Sequence, residues 1–206
     1  MFKRLIKGII FKIDYNVPIQ NLIYSDERCY RQEGFGGRPI KESPLRHFFY
    51  EYLHGDKEIA FTEFCKWYAN QFTRYGAVGK RHGGMRFGSL HFLIEKKHLQ
   101  KNIIIGGVKQ YDKSIIDKTI RQMVAQRFAL ADSIVKEGYV FNPADPIIAT
   151  RKGNGYILRS GHHRCCILAA LGKDYCPQVF VPRGVFGRYL YLFLRELKWL
   201  LHPRNF

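Results

Sequence analysis

Between Ala144 and Val181 every change of hydrophobic pattern falls on a glycine, which leaves the segment few ways to fold. Asp145-Pro146-Ile147-Ile148-Ala149-Thr150 reads as a strand, Lys152-Gly153-Asn154-Gly155 as a turn and Tyr156-Ile157-Leu158-Arg159 as a second strand. Cys165-Cys166-Ile167-Leu168-Ala169-Ala170-Leu171 reads as a short helix stopped by Gly172, and Gln178-Val179-Phe180-Val181 as a third strand. Between the second strand and the helix lies Gly161-His162-His163-Arg164. A glycine followed by basic residues at a strand-to-helix switch aims backbone N–H groups and a positive dipole end at one spot, where His and Arg add charge-assisted donors. That is phosphate-binding chemistry, with Ser160, Gly161, His162, His163 and Arg164 as candidates. The competing reading is an ordinary tight turn with two surface histidines.

Just upstream, Leu130-Ala131-Asp132-Ser133-Ile134-Val135-Lys136-Glu137-Gly138 ends a helix at its glycine. From there to Val181 the chain resembles the core of the ParB/sulfiredoxin superfamily. In that family a helix ending in S-I-x-x-x-G leads to a P-I-x-V strand, a hairpin, a G-x-x-R nucleotide-phosphate turn, an Ala-rich helix and a P-V-x-V strand. Ser133-Ile134 with Gly138, Pro146-Ile147-Ile148, Gly161 to Arg164, and Pro177-Gln178-Val179 occupy those places. Sulfiredoxins carry a catalytic Cys before the His-Arg pair, where this chain has His162. Chromosome-partitioning ParB proteins follow this core with a helix-turn-helix, for which the residues after Val181 leave no room. The G-H-H-R spelling looks most like the free-serine-kinase branch, which normally has Asp before the Gly; here that position is Ser160.

The resemblance implies ATP, ADP or CTP with Mg2+ as cofactor, and an acidic general base just past the first strand. The segment Val17 to Glu27 is similar to that part of the kinases, which makes Asp26 or Glu27 the implied base. The same two residues also read as a solvated acidic turn.

Thirty-four basic against seventeen acidic side chains give a net charge of +17, which implies a polyanionic partner: nucleic acid, an anionic membrane surface, or a phosphorylated or acidic-sugar substrate. The 46 % hydrophobic and 15 % aromatic content is enough for a packed core and excludes a disordered chain. Cys29, Cys65, Cys165, Cys166 and Cys176 show no C-x-x-C spacing and are expected as reduced thiols, with Cys165 and Cys166 packed as small apolar groups.

Ser43-Pro44 starts a helix that carries Leu45, Phe48, Phe49 and Tyr52 and ends near His54-Gly55. A second helix, from about Glu58 to Arg74, has Ile59, Phe61, Phe64, Trp67, Tyr68 and Phe72 on a wide apolar face. Two glycine-containing basic loops, 28–38 and 79–86, bring Arg28, Arg31, Arg38 and Arg81 as candidate substrate-binding cations, or as plain solvated charge. Both termini have basic amphipathic helix patterns, one over Phe2 to Ile13 and one over 184–201. Each suits docking on the domain or on a partner, or peripheral contact with an anionic leaflet at the cytoplasmic face.

These readings give one α/β domain, a ParB/sulfiredoxin-like mixed sheet with helices. Its core spans about 15–30 and 112–182, a helical insertion about 40–110 divides that core, and amphipathic helices flank it. The function they favour is phosphoryl transfer from a nucleotide to an anionic or hydroxyl-bearing small molecule, such as a glycan precursor. In it Arg164 neutralises charge on the transferred group and Asp26 or Glu27 takes the acceptor proton. The alternative is a non-catalytic nucleotide- or nucleic-acid-binding protein.

Overall fold

A computed structural model describes residues 11–24, 36–75, 103–105, 108–110, 113–142, 145–184 and 187. Seven strands and four helices follow one another in it: β1 (Phe11–Pro18), β2 (Leu22–Ile23), α1 (Pro44–His54), α2 (Lys57–Tyr75), β3 (Ile103–Ile105), β4 (Val108–Gln110), α3 (Lys113–Glu137), β5 (Ile148–Lys152), β6 (Gly155–Ser160), α4 (His162–Ala170) and β7 (Tyr175–Pro182). Five of the strands form one mixed sheet in the order β1-β7-β5-β6-β2, so the class is α/β.

The glycine punctuation explains the sheet's centre. β5 and β6 pair antiparallel across the Gly153-Asn154 turn, with Ala149 opposite Leu158 and Arg151 opposite Tyr156. β7 runs parallel to β5, with Ile148 beside Phe180, and β1 closes one edge antiparallel to β7. β2 forms the other edge and runs parallel to β6, with Leu22 beside Tyr156 and Ile23 beside Ile157. The β2 and β6 chains therefore leave the sheet side by side at the same end.

The helices follow from capping and from apolar spacing. Ser43 accepts a hydrogen bond from Leu45 N at 3.0 Å, with Pro44 in the first helical position, and this starts α1 where the sequence predicts it. Asp56 starts α2, its carboxylate accepting from Glu58 N and Ile59 N. Leu45 and Phe49 on α1, Ala60, Phe64 and Tyr68 on α2, and Ile120, Val124, Phe128, Ala131 and Ile134 on α3 are the buried stripes. Phe49 meets Phe64 and Phe128 edge-on, and Phe48 stacks on Phe64 with ring centroids 4.7 Å apart. α4 is buried from His162 to Ala170 apart from His163 and Arg164, because the sheet and α1 enclose it.

Three expectations are corrected. Residues 11–13, placed by spacing on an amphipathic helix, belong to β1; alternation within a half-covered edge strand and a short helical stripe look alike over so few residues. The insertion is not wholly helical, since β3 and β4 form a two-stranded antiparallel sheet of their own. Ile59 lies off the apolar face of α2 and is 63 % exposed, whereas Phe64 and Tyr68 are buried. The first ten residues, loop 79–86, Phe72's side chain and all of the predicted C-terminal helix except residues 184 and 187 lie outside the described residues. No described helix is long and apolar enough to cross a membrane.

Two predictions arise here. Ser43 Oγ serves both Leu45 N and the Tyr24 hydroxyl, at 2.8 Å from the latter, so Ser43→Ala removes a cap and leaves a buried phenol short of a partner. It should lower stability by about 2 kcal/mol in urea unfolding.

At the far edge of the sheet Asp14 is contacted by Lys12 Nζ at 3.1 Å, Arg151 at 3.4 Å and the Tyr156 hydroxyl at 2.9 Å. Burial pushes this carboxyl up, but the hydrogen bonds and charges of Lys12, Tyr156 and Arg151 together hold it below its ordinary value. A carboxyl depressed in the folded state adds stability that is complete above the ordinary carboxylate range and disappears as pH falls through the depressed value. Acid unfolding of Asp14→Asn should therefore show a shallower loss of stability below that range than the native chain.

Candidate functional site

The turn that the sequence singles out lies where β6 hands over to α4. Gly161 is the residue before the helix, with φ +82° and ψ 18°, a left-handed conformation that side chains other than glycine's adopt at a cost. Space imposes the same choice. A Cβ at Gly161 would come within 2.7 Å of Ile147 Cγ1 and 3.1 Å of the Ile147 backbone. The Gly161 carbonyl accepts from Cys165 N and opens the helix, and no side chain caps it. The N–H groups of a helix's first turn have no acceptor inside the helix and carry the positive end of its dipole.

The side chains of the motif are arranged differently from the expectation that all of them converge on a ligand. His162 is buried, its ring 5.2 Å from that of Tyr24. His163 is half-buried, meets Phe49 edge-on and lies with Nε2 3.3 Å from the Tyr68 hydroxyl of α2. Arg164, with only 11 % of its side chain exposed, folds back along the start of β5. It donates to the carbonyl oxygens of Asp145 and Pro146 and forms an ion pair with the Asp145 carboxylate at 3.3 Å. Ser160 is the last residue of β6 and lies opposite Ile148, at an irregularity in the pairing. The side-chain positions make the motif a keystone between sheet and helices.

Asp145 is the functional candidate that sequence reading missed. It is half-exposed and brings a carboxylate to the turn from another strand's approach. The signal for it was weak: an acidic residue before Pro146 reads first as a turn former.

Tyr24 packs against the turn. Its hydroxyl lies 2.8 Å from Ser43 Oγ and 3.3 Å from Cys166 Sγ, and its ring packs on His162. Its backbone pairs with Gly37 and Arg38, through Tyr24 N to Arg38 O and Gly37 N to Tyr24 O. Asp26, Glu27, Arg28, Arg31 and Arg81 lie outside the described residues. Arg38 is exposed, 3.9 Å from Glu42.

The two thiols of α4, Cys165 and Cys166, are unsuited to nucleophilic chemistry. Cys165 and Cys166 are fully buried. A hydrogen bond to Cys176, reinforced by burial, holds the Cys165 thiol well above its ordinary value and so protonated. Burial likewise pushes Tyr139, near Arg164, up to about 12, against a smaller downward pull from that guanidinium.

Compared with family models, with curated proteins and with solved structures, the chain finds no match. Among the described residues no group of three or more His, Cys, Asp or Glu side chains is placed to hold a metal ion.

Proposed function

We propose that this chain is a nucleotide-dependent phosphotransferase built on a ParB/sulfiredoxin-like core. The observation that carries the reading is the β6–Gly161–α4 switch: a left-handed glycine, sterically obligatory, opens an uncapped helix beside the parallel end of β2. Anionic ligands of α/β sheets bind at such carboxyl ends, against helix N-termini. Bound there, ATP, ADP or CTP supplies the phosphoryl group.

The backbone N–H groups of residues 162–164 hold the phosphates. Arg164, fixed by Asp145 and Pro146, adds positive charge that needs no rearrangement when charge develops on the transferred group. Asp145 would supply one of the one or two carboxylates that a magnesium ion takes from a protein. Asp26 or Glu27, two and three residues beyond Tyr24, takes the proton from the acceptor hydroxyl. Arg28, Arg31, Arg38 and Arg81 select an anionic or hydroxyl-bearing acceptor, and the basic terminal segments hold the protein at an anionic, cytoplasmic membrane face.

The net charge of +17 favours a second reading, a non-catalytic protein that binds nucleotide or nucleic acid. Nucleotide turnover in the presence of a pool of hydroxylated small molecules separates the two. The kinase reading requires acceptor-dependent loss of the terminal phosphate, reduced about 10²-fold or more by Asp26→Asn or Glu27→Gln with nucleotide binding retained. Turnover indifferent to both substitutions, or a salt-sensitive shift of random-sequence DNA without turnover, contradicts it.

A further inference from the structure

A second cationic cluster lies at the opposite end of the sheet. Arg151 and Tyr156 are paired at the hairpin end of β5 and β6, so the cluster is separated from Gly161 by nearly the whole of β6, roughly 15 Å. There an open cleft of about 430 Å³ runs between the ends of β1, β5 and β7, lined by Lys12, Asp14, Thr150, Arg151 and Arg183 among others. Three cations and one carboxylate therefore line it.

That carboxylate acts as a scaffold. Asp14, with 10 % of its side chain exposed, takes the Tyr156 hydroxyl at 2.9 Å and holds Lys12 and Arg151 on either side of itself. Arg151 is further fixed by the Tyr156 hydroxyl at 3.2 Å, with its guanidinium 5.5 Å above the Tyr156 ring. Arg183 is fixed by donating Nε to the Phe11 carbonyl at 3.3 Å. The side chains of Lys12 and Arg151 remain about 60 % exposed, so both stay open to the cleft while Asp14 holds their charged ends. Cations held in place before a ligand arrives lose little freedom on binding, and a planar guanidinium matches two oxygens of a phosphate at once.

We propose that this cleft is a binding site for the phosphate group of a small phosphorylated molecule, independent of the Gly161 turn. A dianionic phosphate monoester balances the excess charge, whereas a single carboxylate leaves it half-compensated.

The test is a titration of the isotopically labelled full chain with inorganic phosphate and with glycerol 3-phosphate, following backbone amide resonances at constant ionic strength, with acetate as the monoanionic control. Saturable shifts at residues 12–14, 150–151 and 181–184 are expected for both phosphates. Binding should weaken tenfold or more in Arg151→Gln and in Arg183→Gln, both surface substitutions, and acetate should bind more weakly than phosphate. Shifts confined to residues 161–164, shifts spread over the basic surface without saturation, or unchanged affinity in the two variants would each overturn the proposal.

Discussion

Replacing Gly161 with Ala is expected to destabilise the fold by about 2–5 kcal/mol, through about 1–2 for the left-handed backbone and about 1–3 for the forced contact. The contact is with Ile147, both its side chain and its backbone, so no flexible tip can swing away from the new methyl group. Gly172, at φ +70° with nothing within 4 Å of a Cβ, provides the internal control. Gly172→Ala meets the backbone term alone and should lose only about 1–2 kcal/mol. Urea unfolding of the two variants separates the terms, and equal losses would show that the packing of Ile147 against the turn is not as described. Because the same contact sets the direction in which α4 leaves β6, whatever Gly161→Ala retains of its fold should lose its affinity for nucleotide.

The second large effect belongs to Phe49. It is fully buried and touches Phe64 of α2, Phe128 of α3 and the ring of His163 in the turn, so three helices meet on one side chain. Truncation to Ala leaves a cavity that four separate elements would have to collapse to fill, and about 3–5 kcal/mol should be lost. Unfolding in urea measures the loss, and the ring resonances of His163 should move in the same variant. A loss below about 1.5 kcal/mol, or an unmoved His163, would mean that the insertion and the sheet core are not mechanically joined through this residue.

That joint marks the limit of what the sequence discloses. The order of elements over 145–182 could be read from the sequence, because glycines mark the hairpin, the start of α4 and its end, but three starts moved by three residues: β5 begins at Ile148, β7 at Tyr175, and α4 at His162, so that His162, His163 and Arg164 form its first turn. Helix α1 was equally legible through its Ser-Pro start. β1 was not, because an edge strand with one covered face carries too few residues to tell its period from a helix's, and β3 and β4 were hidden in a segment read as helical.

For the site, the glycine turn was visible and its side-chain roles were not. Gly-His-His-Arg at a strand-to-helix switch suggested four groups aimed at a ligand. Which way each side chain points depends on partners far along the chain: Tyr24 for His162, Tyr68 and Phe49 for His163, and Asp145 for Arg164. Spacing within the motif carries no trace of these. The same holds for Asp145, which reaches the turn through sheet geometry, and for the Asp14–Arg151 cluster, whose members meet through strand pairing.

Calorimetric titration of the native chain with ATP, ADP, CTP and GTP in the presence of magnesium, repeated on Gly161→Ala and Arg164→Ala, tests the phosphate turn most directly. The account predicts micromolar binding of at least one nucleotide by the native chain, lost in Gly161→Ala and weakened in Arg164→Ala, with both variants first shown to be folded by their far-ultraviolet spectra. Absence of binding by any of the four nucleotides, or binding that survives Gly161→Ala in a folded protein, would contradict it.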